Sequence, residues 1–182
     1  MAIMTKNLVF DLDGTLTAHR SKIELDFRSL FLKAIDMGYS ISIATGSDMN
    51  YVEEQCHELL DLDITYYCCN GSKVYRLKDK SVYLAEERSM KDYIGNKSFE
   101  KIISLIKRKQ KIFELEYKNI SEEVIQERSS MINWCPIGRK SDGKYRQYFV
   151  SFDKREQFRD KMVSTITQLF AFDRDLSKIK IK

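Results

Sequence analysis

The segment LVFDLDGTLTAHR, Leu8 to Arg20, runs an apolar stretch directly into Asp11-x-Asp13-Gly14-Thr15, and that order of residues restricts the fold sharply. A short apolar run closed by Asp-x-Asp-Gly reads as a buried strand with an abrupt exit, because glycine supplies the backbone freedom such an exit needs. Asp11 and Asp13 then stand at the strand's C-terminal tip, the place where open α/β sheets bind ligands. An Asp-Gly hairpin is the bland alternative. The downstream residues argue against it: KIELDFRSLFLKAIDMG sets Leu30, Phe31, Ala34 and Ile35 on one helical face and closes at Gly38, where a hairpin would return as an alternating strand.

The same unit recurs. YSISIAT, ending at Thr45, is followed by the helical stretch SDMNYVEEQCHELLDL with Val52, Cys56, Leu59 and Leu60 on one face, and a third unit begins at ITYYCCNGS. This alternation predicts an α/β fold with a parallel sheet and right-handed crossovers. KVYRLKDKSVYLAEE reads as a hairpin around Asp79. From about Ser89 the texture changes. A helix carrying Phe99, Ile102, Ile103 and Ile106 precedes strands near 113–118, 129–135 and 145–152, and a second helix starts at about Lys154. That helix has a capping-box-like pair, Asp153 and Glu156, and a stripe of Phe158, Met162, Ile166 and Leu169. A separate α+β layer is expected, with a soft boundary near residue 85.

Composition excludes several classes. The hydrophobic fraction of 43% over 182 residues is that of an ordinary globule. No apolar run approaches the ~20 residues of a membrane helix, and Asp11 and Asp13 interrupt the N-terminal apolar segment, so a cytoplasmic chain is expected. Cys56, Cys68, Cys69 and Cys135 form no Cys-x-x-Cys pair and have only His19 and His57 beside them, which favours free buried thiols over a zinc site. The net charge of +4 is spread among acids, which argues against nucleic acid as a partner. KRKQK at 107–111 reads as the solvated end of a helix.

Two carboxylates at one strand tip can divide labour, one attacking as a nucleophile and the other donating a proton to the leaving oxygen. A phosphoryl group suits the pair, with a helix start after Gly14 and Thr15 offering backbone N–H groups to its oxygens. Aspartates also suit Mg²⁺. At this point the sequence resembles the haloacid dehalogenase superfamily, whose signature is Asp-x-Asp-Gly-Thr on the first strand. The resemblance gives Asp11 the part of the phosphorylated nucleophile and Asp13 that of the general acid/base. The superfamily's second motif, a Thr or Ser at the end of the next strand, falls on Thr45 with Ser47 as competitor; N-capping is the plain alternative for Ser47 and Asp48.

A closer resemblance covers most of the chain. FDLDGTLTAHR, TGSDMNYVEEQ, NGSKVY, MINWCPIGR and FDKREQFRDKM stand in the order and near the spacing of eukaryotic-type phosphomannomutases. The cap arginines that hold the sugar phosphate in that family map onto Arg128, Arg139 and Arg146, and Arg20 resembles a further arginine near the transferred phosphate. Singly each would pass for a surface residue; as a set, guanidinium groups grip phosphate bidentately. The resemblance implies a partial Rossmann-like haloacid dehalogenase core over 1–84 and an inserted α+β cap domain over 85–182. It implies interconversion of mannose 6-phosphate and mannose 1-phosphate for GDP-mannose synthesis, Mg²⁺ on Asp11 and Asp13, and a hexose 1,6-bisphosphate activator. It also allows a homodimer through the cap.

Departures are Trp134 and Cys135 before Pro136, His19 in place of a usual proline, and the end at DLSKIKIK, where the family continues into further strands, a Gly-Asp-Lys motif and more metal-binding aspartates. FAFDRD is a poor substitute, since it ends an amphipathic helix and not a strand. The expected consequence is that the first strand becomes a sheet edge. A sugar-phosphate phosphatase using Asp11, Asp13 and water, and a sugar-phosphate-binding fragment impaired in catalysis, are the alternative readings.

Overall fold

The computed structural model describes residues 6–18, 21–118 and 120–172. They form two compact units, one running to Ser89 and taking in Arg128–Ser130, the other holding Met90–Glu127 and the residues from Met131 on.

The first unit is a five-stranded sheet whose spatial order, β1-β2-β3-β4-β5, is also its chain order. Strands β1 (Asn7–Asp11), β2 (Ser40–Ala44) and β3 (Ile64–Cys68) are parallel, with Asn7 opposite Ser40 and Ile41 opposite Ile64. β4 (Lys73–Lys78) and β5 (Ser81–Glu87) continue antiparallel as a hairpin. Its turn, Asp79-Lys80, has positive φ at both residues (51° and 64°), the twist that suits a two-residue hairpin. Among the described residues β1 pairs on one side only, so it is the expected edge, with Val9 59% exposed.

Helix α1 (Asp26–Asp36) packs through Phe27, Phe31, Ala34 and Ile35, and the Phe31 ring stacks on Phe10 of β1 with centroids 5.4 Å apart. Leu30, expected on this face, is 55% exposed. The buried row follows Phe27, Phe31 and Ala34 at helical spacing and leaves Leu30 on its flank. Helix α2 (Met49–Cys56) ends sooner than expected, in a 3₁₀ turn at His57–Leu59, yet still buries Val52, Cys56 and Leu59. These side chains meet Ile41, Ile43, Ile64 and Tyr66 in one core. Asp48 caps α2 by accepting from Met49 N at 2.8 Å, and Lys73 Nζ lies 3.2 Å from its other oxygen.

The second unit departs further from expectation. It contains α3 (Met90–Ile94), α4 (Asn96–Glu116), β6 (Ile125–Arg128) except for its last residue, β7 (Met131–Trp134), which pairs with β6 in a two-stranded sheet, α5 (Gly143–Glu156) and α6 (Phe158–Ala171). Phe99, Ile102, Ile103 and Ile106 pack with Ile166 and Phe170 as its core. The stretch 113–118, expected as a strand, opens as the last turn of α4, and the expected strand 145–152 lies inside α5. KRKQK accordingly sits within α4 and not at its end, with Gln110 buried.

Gln110 explains the first difference. Its Nε2 donates to Pro136 O at 3.0 Å and its Oε1 accepts from Trp134 Nε1 at 2.8 Å, so a polar residue occupies a core position of the helix and interrupts the apolar stripe. In the second, Asp142 caps α5 by accepting from Tyr145 N at 3.0 Å. Phe149 and Phe152 then turn inward on helical spacing to pack around Phe113 with Phe158. Gln157, left-handed at φ 50°, separates α5 from α6. Asp153 is therefore helical and no box with Glu156 forms. It still caps, accepting from Arg159 N of the next helix at 2.8 Å and from Arg159 Nε at 2.6 Å.

Candidate active site

In the first unit a cavity of about 450 Å³ is lined by Asp11, Ala44, Thr45, Gly46, Tyr67, Asn70 and Gly71, at the C-terminal ends of β1, β2 and β3. The exits of β2 and β3 are tied together by backbone bonds. Thr45 N donates to Tyr67 O at 2.9 Å, Asn70 N to Thr45 O at 3.0 Å, and Cys69 N to Ser47 O at 2.9 Å. Cys69 and Asn70 take positive φ to make this turn, and the Asn70 side chain rests over Gly46, where an added Cβ would stand 3.2 Å from its Oδ1. Thr45 is buried and its Oγ1 accepts from Ser47 N at 3.1 Å. The helix cap expected at Ser47 or Asp48 falls to Asp48.

Asp13, two residues beyond Asp11, does not line this cavity. Its Oδ1 accepts from Gln55 Nε2 of α2 at 3.3 Å. Burial, aided by the charge of Asp13, pushes the neighbouring Cys56 thiol up to about 12. The helix start expected after Gly14 is absent. Thr15, Leu16 and Thr17 N–H groups all point to Leu12 O and Gly14 N donates to Thr17 O, so these donors are spent on a tight turn and α1 begins only at Asp26. Gly14 turns there at φ 84°.

Of the expected phosphate-binding arginines, Arg20 lies outside the described residues, as do the acidic residues of FAFDRD. Arg128, 9% exposed, groups with the first unit and donates from Nη1 to Gly46 O at 2.8 Å. Arg139 and Arg146 come together in the second unit. Arg146 Nε donates to Ser141 O at 2.9 Å and its Nη2 to Arg139 O, while Arg139 Nη1 donates to Gln126 Oε1 at 3.1 Å. The segment leading into Arg139 requires Gly138, at φ 82°, where a Cβ would lie 2.2 Å from Ser121 O.

Among the described residues no three His, Cys, Asp or Glu side chains gather as a metal cluster. Asp11 and Asp13 are the acidic donors of this strand tip, and the pair suits Mg²⁺, which is commonly held by one or two carboxylates together with substrate phosphate and water. Asn70 and Gln55 were not singled out from sequence. NGSKVY contains the first as a turn signal, and Gln55 sits in a helical run whose spacing marks it as a neighbour of Val52 and Cys56.

Phosphomannomutase of Triticum aestivum is 30% identical over 163 residues, covering 90% of this chain and 63% of that protein. The Nicotiana benthamiana phosphomannomutase is 29% identical over 163 residues, 90% of this chain and 62% of that protein. The chain thus spans a little under two thirds of the length of these curated relatives. Among solved structures, N-terminally truncated IMP-nucleotidase from Plasmodium falciparum shares the fold at a TM-score of 0.55 and 14% identity, over 86% of this chain and 48% of that one. A haloacid dehalogenase-like hydrolase from B. subtilis aligns at a TM-score of 0.47 and 19% identity, over 58% of this chain and 34% of that one. The family model for eukaryotic phosphomannomutase matches residues 29–178. With most of its length inside that match, the chain belongs to the eukaryotic phosphomannomutase family.

Proposed function

We propose that the chain acts in phosphomannomutase chemistry, interconverting mannose 6-phosphate and mannose 1-phosphate in the cytoplasm for GDP-mannose synthesis. The observation that carries this reading is Asp11 in the wall of a cavity shared with Thr45, Gly46 and Asn70. An Asp11 carboxylate oxygen attacks a phosphorus of hexose 1,6-bisphosphate, the bond from phosphorus to the sugar oxygen breaks, and Asp13 gives that oxygen its proton. The free hydroxyl of mannose 6-phosphate or mannose 1-phosphate then attacks the phosphorus on Asp11, giving its proton back to Asp13. The 1,6-bisphosphate so formed turns round, so that Asp11 takes the phosphoryl group from its other end and the isomeric monophosphate leaves. Asp11 and Asp13 would hold Mg²⁺, whose charge screens the carboxylate from the phosphate. Thr45 and Ser47 contact the transferred phosphate, and Arg20, Arg128, Arg139 and Arg146 hold the sugar phosphate. Two copies pair as a homodimer through residues 85–182.

The test is a coupled assay with mannose 1-phosphate, glucose 1,6-bisphosphate and Mg²⁺, with inorganic phosphate measured in parallel. Mannose 6-phosphate formation that vanishes in Asp11→Asn is the expected result. Phosphate release without isomerisation would assign a phosphatase. Undiminished turnover in Asp11→Asn would remove the nucleophile.

A further inference from the structure

Gln55 is the last but one residue of α2, 8% exposed and flanked by the buried Val52 and Cys56. Its backbone carbonyl accepts from Ile23 N at 2.8 Å, so the main chain at this point is tied to the segment that enters α1. Its side chain runs to the strand tip, where Nε2 donates to Asp13 Oδ1 at 3.3 Å. Its Oε1 is buried without a hydrogen-bond partner among the described residues. Turning the amide over would set this oxygen against a carboxylate oxygen, so the packed orientation is the one in which the donor faces Asp13.

A buried amide oxygen left unpaired weakens a fold. Methionine has the same reach and would fill the space without that penalty. The polar group therefore opposes stability while serving one contact, and that contact is with the carboxylate assigned as acid/base. We infer that Gln55 is a positioning residue, its amide fixing the rotamer from which the Asp13 carboxyl passes a proton to the sugar oxygen. This rests on the phosphoryl-transfer reading of Asp11 and Asp13. A carboxylate at a strand tip can rotate about two side-chain bonds, and a site must be held to a fraction of an ångström to be productive.

The experiment compares wild type, Asp11→Asn and Gln55→Met as full 182-residue chains. Gln55→Met is expected to melt at or above the wild-type temperature and to lose roughly tenfold or more in kcat for phosphoryl transfer from glucose 1,6-bisphosphate, with KM within about twofold, the range for removing a group that orients a ligand or catalytic side chain. A second measurement does not depend on that variant folding. The Gln55 side-chain amide resonance should shift in Asp13→Ala, and a resonance that stays in place overturns the proposal. Wild-type kcat in Gln55→Met, beside an inactive Asp11→Asn, overturns the positioning role alone. A wild-type chain no more active than Asp11→Asn rejects the phosphoryl-transfer reading and this role with it.

Discussion

Replacing Gln110 by leucine tests whether a polar residue inside the α4 stripe holds the second unit together. The amide makes hydrogen bonds to Pro136 O, Trp134 Nε1 and Glu114 Oε1. At ~1 kcal/mol net for each, their loss removes about 3 kcal/mol, and the buried Pro136 carbonyl left without this donor adds ~1 kcal/mol or more. Leucine returns about 2 kcal/mol through its buried apolar surface. The expected balance is a loss of about 2 kcal/mol. Trp134 is the only tryptophan in the chain, so its fluorescence reports both the unfolding of this unit and the local change. Urea titration should give a lower midpoint with an unchanged slope, and the native emission should shift as the indole N–H loses its partner. A Gln110→Leu chain as stable as wild type, with native emission unmoved, would refute the argument and make the amide a tolerated passenger in the stripe.

Gly138→Ala should destabilise by ~2–4 kcal/mol, since it adds left-handed strain to a clash with the Ser121 backbone. Gly14→Ala, with nothing within 4 Å of the new Cβ, should cost only the strain, about 1–2 kcal/mol, both read by urea titration. Cys56 and Cys68 should resist thiol reagents at pH 8 in the native state, because burial raises both thiols from 9.0 to about 12. Since the folded values lie above the unfolded ones, the stability these protonated thiols confer is intact below about pH 9 and falls by up to ~1.4 kcal/mol per pH unit per thiol between about 9 and 12. Titrations at pH 8 and 10.5 measure it, and a smaller alkaline loss in Cys56→Ala is the expected control. Arg146→Ala should weaken mannose 6-phosphate binding and also lower the melting temperature, because Nε and Nη2 donate to the Ser141 and Arg139 carbonyls. Calorimetry showing unchanged affinity at a lower melting temperature would assign Arg146 a structural part alone.

The first unit was legible because its signals are local and agree with one another. Apolar runs ending at Asp11 and Thr45, a capped helix at Asp48 and an Asp79-centred turn each predict the element that forms. In the second unit the signals conflict. Phe113, Leu115 and Tyr117 alternate like a strand, yet Phe113 continues the stripe of Phe99, Ile102 and Ile106 once Gln110 is paired by partners some two dozen residues away. Tyr148, Phe149 and Phe152 are strand-prone side chains that serve equally on a helix when an aromatic cluster awaits them. Asp11 and Thr45 were readable as a strand-tip pair, whereas the roles of Gln55 and Asn70 depend on which loops meet there, a tertiary fact that spacing does not encode.

Because the spatial order of the first sheet repeats its chain order, no strand has to be inserted between two that are already paired. Lys78 meets Ser81 across two residues, while Ile41 meets Ile64 and Asn7 meets Ser40 only across whole helices. Loop-closure entropy then ranks the steps of folding, with the β4–β5 hairpin forming in microseconds and the two parallel pairings coming later. On that ranking the strand bearing Asp11 docks late, onto a platform already assembled. Variants that weaken the β1–β2 pairing should therefore speed unfolding and leave the folding rate nearly unchanged.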